Sequence, residues 1–136
     1  MVLNLNNVNV LVVDDNMFKL NDVKEALRTN GIQKENIKTA RNLEEVWKML
    51  DLIESQGKTV DLLVTDMNYP LQAGERSNGE AGFILIEQLK KKNMDIPVII
   101  CSTRNFSETS VLGTVWYSEL RNLDVEFRRV LKKLEE

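Results

Sequence analysis

The 136-residue chain contains no histidine. That absence excludes Ser–His and Cys–His nucleophile pairs, His-ligated zinc and imidazole acid–base catalysis. Cysteine is almost as scarce: Cys101 stands alone, so no intrachain disulfide forms and no C-x-x-C or Cys/His metal pattern exists. A reducing cytoplasm is the simplest setting. No long basic run occurs and the net charge is −3, which argues against nucleic acid or an anionic membrane surface as the main partner. No apolar run approaches ~20 residues, so no membrane span is expected. Met1-Val2-Leu3-Asn4 lacks the basic-then-apolar pattern of a secretory signal. Repeats and low-complexity tracts are missing too. Any chemistry must rest on carboxylates, hydroxyls, amines or a metal held by oxygen.

What is present is an ordinary globular composition, 43% hydrophobic and 29% charged, at a length that suits one domain over residues 1–136. Its organising stretch is Asp61-Leu62-Leu63-Val64-Thr65-Asp66-Met67-Asn68-Tyr69-Pro70. The apolar run is too short for a helix and suits a strand buried on both faces; Pro70 ends the ladder and begins a loop. Asp66 therefore stands where a buried strand leaves the sheet. Ligands gather at such ends in open parallel sheets, although a strand-end acid is also commonly satisfied by nearby backbone N–H groups. Val8 to Val13 repeats the pattern and ends in Asp14-Asp15.

Between and after these runs the pattern alternates. Phe18, Leu20, Val23, Ala26 and Leu27 recur at helical spacing before Gly31, predicting a helix over 16–29. Ile37 to Ala40 is a short strand, and Asn42-Leu43-Glu44-Glu45 has the form of a capped helix start. Residues 69–79 lose periodicity and read as a mobile polar loop. A helix follows over 80–92, then a strand Val98 to Cys101 running into Ser102-Thr103. Phe106 to Gly113 has weak periodicity, Thr114 to Tyr117 is a fifth short strand, and Leu120, Leu123, Phe127, Val130, Leu131 and Leu134 make a last helical stripe. Five βα units with right-handed crossovers predict a doubly wound parallel sheet of order 2-1-3-4-5, its switch point between the first and third strands.

Asp14, Asp15 and Asp66 then converge on one sheet edge. Like charges ~4 Å apart repel by about 1–4 kcal/mol at surface-type dielectrics. Such a cluster raises a carboxylate pKa or holds a divalent cation, and oxygen-only ligands favour magnesium. The expected ligands are Asp14 or Asp15, Asp66 and the backbone carbonyl of Asn68. A metal there makes Asp66 useful as a nucleophile toward a phosphoryl group, with Ser102 donating to a phosphoryl oxygen.

Val10-Leu11-Val12-Val13-Asp14-Asp15, Leu62 through Pro70, and Ile96-Pro97-Val98-Ile99-Ile100-Cys101-Ser102 together resemble the receiver domain of bacterial two-component response regulators, of the stand-alone chemotaxis type. The resemblance covers essentially the whole chain and implies a flavodoxin-like fold. It implies that Asp66 is the phosphoacceptor, Asp14 and Asp15 the metal-site acids, and Ser102 the switch hydroxyl. Magnesium is the implied cofactor, and a phosphohistidine on a sensor histidine kinase or phosphotransfer protein the implied donor. The domain would be no enzyme beyond self-catalysed phosphotransfer and dephosphorylation. With no output domain following, signalling would run through protein–protein contact with a downstream target, or the domain would act as a phosphate sink.

The chain departs from that family at three places. The usual Lys-Pro after the fifth strand is absent. One alignment puts Arg121 in the lysine's place; alignment by the strand puts Ser118 or Leu120 there. Arg121 is the candidate replacement, although its planar fork is not a compact ammonium, and a solvated helix-start arginine is the competing reading. The loop after Asp66 is longer than the family usually carries, and loops beyond ~12 residues are often lids or binding loops. The stretch from Ser102 to Gly113 is short, so the fourth helix is expected to be shortened or absent. Tyr117 falls near the family's aromatic switch position, and Thr103 and Arg104 follow the switch hydroxyl as candidates for controlling water access. The alternative function is a degenerate receiver serving as a phosphorylation-independent protein-binding module. An acid-dependent phosphatase is disfavoured, since Asp-x-Asp at the first strand and a phosphate-binding glycine motif are both absent.

Overall fold

Three apolar runs of four or five residues become the central strands of one parallel sheet, with more polar strands at its two edges. The computed structural model describes residues 4–105 and 107–135. In chain order the elements are β1 (Val10–Val13), α1 (Met17–Thr29), β2 (Ile37–Ala40), α2 (Leu43–Ser55), β3 (Leu62–Thr65), β4 (Tyr69–Pro70), β5 (Ser77–Asn78), α3 (Ala81–Lys91), β6 (Val98–Ser102), β7 (Gly113–Trp116) and α4 (Leu123–Glu135). The main sheet runs β2-β1-β3-β6-β7, all parallel. This is the predicted order, with the switch point between β1 and β3.

Side chains alternate across the sheet, so each strand feeds two cores. Val10, Val12, Val64 and Ile99 pack with Leu27 of α1 and Phe127 and Leu131 of α4. Leu11, Val13, Leu63 and Ile100 pack with Val46 and Leu50 of α2 and Leu85 and Leu89 of α3. Burial on both faces explains why the central strands β1, β3 and β6 read as nearly unbroken apolar runs.

Register positions the acids. Val13 lies opposite both Ala40 and Thr65, so Asp14 and Asp66 leave the sheet side by side. The ladder continues one step past the strands: Asp14 N–H donates to Ala40 O and Asp66 N–H to Val13 O, both at 3.0 Å. Thr65 lies opposite Ile100, which brings Cys101 and Ser102 to the same edge.

Helix starts follow their caps. Asn42 Oδ1 accepts from Glu45 N–H at 2.9 Å, the expected box at the head of α2. Asn16 Oδ1 accepts from Phe18 and Lys19 N–H at the head of α1. That cap sets which face of α1 points inward. Phe18, counted above on the apolar stripe, is 84% exposed, and Lys19 takes an inward position instead.

Two further expectations are corrected. Residues 69–79 are not a plain polar loop: Tyr69 pairs with Asn78 and Pro70 with Ser77 in a small antiparallel hairpin. Its anchor is Tyr69, whose side chain is fully buried with its hydroxyl 3.0 Å from Thr65 Oγ1. The fifth strand begins and ends one residue earlier than predicted, so Tyr117 is the first residue beyond it. The fourth helix of the family pattern is absent among the described residues between β6 and β7, where only bends and turns occur. Phe106, the start of that weakly periodic stretch, lies outside the described residues.

Candidate functional site

The site is built from the ends of β1, β3 and β6 and the first turn of α1. Asp14 is almost fully buried. Its Oδ1 accepts from Asn16 N–H at 2.9 Å, and its Oδ2 lies 2.9 Å from the Lys19 ammonium. Asp66 Oδ1 accepts from Met67 N–H at 2.7 Å, and its Oδ2 lies 3.2 Å from the same ammonium. Lys19 also donates to the carbonyl of Cys101 at 2.7 Å. A lysine has three N–H donors, and all three are used here. Behind Asp66 the backbone is tightly set: Thr65 Oγ1 donates to Asp66 O at 2.7 Å, and a Cβ on Gly82 would lie 2.6 Å from that same carbonyl. Only glycine lets the head of α3 approach so closely.

The remaining candidates divide. Asp15 is half-buried, and its Oδ2 accepts from Ser77 Oγ at 3.2 Å, so the hairpin touches the acid edge. Asn68 is exposed between β3 and the hairpin. Ser102 is buried at the tip of β6, where its hydroxyl accepts from Arg104 N–H at 3.1 Å. Thr103 and Arg104 are exposed, and the Thr103 carbonyl accepts from Trp116 Nε1 at 3.0 Å. Arg121 forms no ion pair with the acids among the described residues. It pairs with Glu126 at 3.2 Å and lies over the Trp116 ring at 5.2 Å. Ser118 Oγ accepts from Leu120 N–H at 3.2 Å, and the Leu120 side chain is exposed. Tyr117 directly follows the strand, and its N–H donates to Ser102 O at 2.8 Å. Its hydroxyl donates to Asp22 on α1, and its ring faces Lys19 at 5.8 Å. Among the described residues, no three acidic, histidine or cysteine side chains close into a ready metal cage. An ammonium fills the space between two of the three acids instead.

Sequence reasoning missed Lys19. The signal was there in retrospect: Lys19, Val23, Ala26 and Leu27 share one helical face, directly after the acid pair. A cleft of about 720 Å³ lies between α2 and α3 around Trp47, Ile84 and Gln88 and includes none of these acids.

Burial pushes Asp14 above the usual carboxylate range, offset only in part by Lys19. Burial pulls Lys19 down, but Asp14, Cys101 and Asp66 together outweigh it and hold the ammonium above its ordinary value. Donation to Asp22 and burial raise the Tyr117 hydroxyl to about 12. Burial raises the Cys101 thiol from 9.0 to about 12. Between those two values the folded thiol keeps a proton that the unfolded chain has released, so stability falls as pH rises through that window. Cys101→Ala should therefore flatten the alkaline decline in urea-unfolding free energy, the change confined to pH above about 9. The Lys19 contribution has the same sign and sets in above 10.5.

Carboxylates at the switch point of a doubly wound sheet, with a buried hydroxyl on the next strand, place the chain in the flavodoxin-like α/β class. The family model described as the response regulator receiver domain matches residues 10–114, and the chain belongs to that family. Members of the family are receivers of two-component phosphorelay signalling, phosphorylated on an aspartate rather than acting as enzymes in their own right. No curated protein gives a match. Solved structures share the fold at low identity. The chemotaxis response regulator CheY4 of Vibrio cholerae is 20% identical with a TM-score of 0.62, covering 93% of this chain and 98% of that one. The isolated receiver domain of RcsB from Salmonella enterica serovar Typhimurium, solved with the phosphomimetic BeF3−, is 17% identical with a TM-score of 0.68, covering 96% and 92%. The receiver domain of the histidine kinase CKI1 from Arabidopsis thaliana, solved with Mg2+ and BeF3−, is 19% identical with a TM-score of 0.60, covering 94% and 92%. No helix among the described residues is long and apolar enough to cross a membrane.

Proposed function

We propose that Asp66 accepts a phosphoryl group from a phosphohistidine on a separate kinase or phosphotransfer protein. The carrying observation is the position of Asp66, level with Asp14 at the sheet edge and 3.2 Å from a buried ammonium. Residues 1–136 contain no histidine, so the phosphohistidine lies outside them. The donor set is oxygen-only and suits a hard cation. Asp15, Asp66 and the Asn68 carbonyl hold Mg2+ in this reading, with the charge of Asp14 behind them. Bound there, Mg2+ neutralises charge between the carboxylate and the incoming phosphoryl oxygens.

The protein's own residues do the rest. Met67 N–H orients Asp66 through Oδ1. Ser102 turns its hydroxyl from the Arg104 N–H toward a phosphoryl oxygen, which biases the β6–β7 surface between two arrangements. The modification adds about −1.5 to −2 of charge, and the response is a change in protein–protein contact. A second reading, a phosphorylation-independent binding module, is favoured by one feature: Lys19 already bridges Asp14 and Asp66 without help from a ligand.

Incubation with Mg2+ and acetyl phosphate separates the two. The first reading expects an acid-stable, base-labile mass gain of one phosphoryl group, lost in Asp66→Asn. No gain, with an authentic receiver labelled in parallel, leaves the binding module.

A further inference from the structure

We infer that Lys19, on the first turn of α1, is the ammonium that faces the phosphoryl group on Asp66, relocated to the helix from the end of the last strand. The inference rests on the phosphoacceptor reading above. Three observations carry it. The place after β7 is occupied by Tyr117, which is uncharged and sends its hydroxyl away to Asp22. Arg121, the candidate replacement near that strand end, is paired with Glu126. And Lys19 reaches Asp14, Asp66 and the Cys101 carbonyl at once, from a side chain only 3% exposed.

A buried ammonium in an apolar stripe is poor economy for stability alone. A hydrophobic residue of similar volume, with neutral partners, packs as well or better. Lys19 is held where charge develops. As an Asp66 oxygen forms its bond to phosphorus, the donor's P–N bond breaks and its electron pair leaves on nitrogen. The bonded oxygen loses its negative charge, and the phosphoryl oxygens bring more. The N–H that Lys19 gives to Asp66 is then available to a phosphoryl oxygen, while Asp14 and the Cys101 carbonyl keep the other two N–H groups in place. Such a preorganised donor stabilises the transferring group with little rearrangement. Lys19 touches the reacting carboxylate, so its role is catalytic and not only positional.

The test compares acetyl phosphate labelling of the full chain in four forms: wild type, Lys19→Met, Tyr117→Lys, and the double variant Lys19→Met/Tyr117→Lys. The expected result is about 10²-fold slower labelling in Lys19→Met, on the scale of losing one oxyanion donor. The double variant should recover to within about tenfold of wild type, because its lysine returns to the strand end; a purely structural role for Lys19 predicts no such recovery. Circular dichroism checks folding, and the double variant serves where Lys19→Met does not fold. A folded Lys19→Met that labels at the wild-type rate overturns the inference and leaves Asp66 as acceptor. A folded double variant that does not label also overturns it. A wild type that takes no label, beside a labelled authentic receiver, removes the phosphoacceptor reading itself and the inference with it.

Discussion

Lys19→Met should lower the unfolding free energy by about 3–5 kcal/mol at pH 7, the usual cost of stranding one partner of a buried ion pair. The ammonium and Asp14 are each about 3% exposed in their side chains and 2.9 Å apart. Without it, Asp14 is a buried charge beside Asp66 with no cation, and the Cys101 carbonyl loses its donor. Adding Asp14→Asn should recover much of the loss, because the remaining groups are then neutral or nearer solvent. The deficit should also shrink toward acid pH, where a protonated Asp14 needs no cation. Urea unfolding followed by tryptophan fluorescence measures all three. A loss below about 1 kcal/mol in the single variant means that water solvates the pair as it does an exposed one.

Tyr69→Ala should cost about 3–5 kcal/mol, the range for emptying an aromatic site in a closed core. Tyr69 is fully buried among Ala81, Leu85 and the sheet, under the start of the hairpin. Its loss removes the anchor of the Tyr69–Asn78 pairing and so loosens the Ser77 contact to Asp15. Tyr69→Phe keeps the ring and loses one buried hydrogen bond, worth about 1 kcal/mol, since the Thr65 hydroxyl still donates to Asp66 O. Thermal unfolding ranks the two variants. Limited proteolysis across residues 71–76 should be faster in Tyr69→Ala alone; equal rates in both mean that the hairpin is held by something other than the ring.

The legible parts of this protein were those written in local pattern. Strand runs ending in Asp14 and Asp66, the Asn42 cap and the alternation of elements each announce themselves within ten or so residues. The hairpin did not, because two residue pairs are too few for periodicity and the burial of Tyr69 that anchors them is a tertiary event. The strand-end residue did not either: a shift of one position in β7 exchanges Tyr117 for its neighbours, and apolar pattern does not resolve single residues at a strand end. Lys19 was hidden by a stronger expectation, that helical lysines are solvated while phenylalanines are not. The cap at Asn16 fixes where α1 begins, and about 100° of helix then separates an exposed Phe18 from a buried Lys19.

The amino-acid order alone determined the sheet, its strand sequence and the gathering of acids at one edge, since hydrophobic period and strand length act over short spans. Which cation answers those acids was decided only on folding. Lys19 meets a carbonyl 82 positions away in the chain, and that partnership depends on helix phase, strand register and the exclusion of water acting together. Charge pairing across such distances leaves no periodic trace for a reader of the sequence to follow.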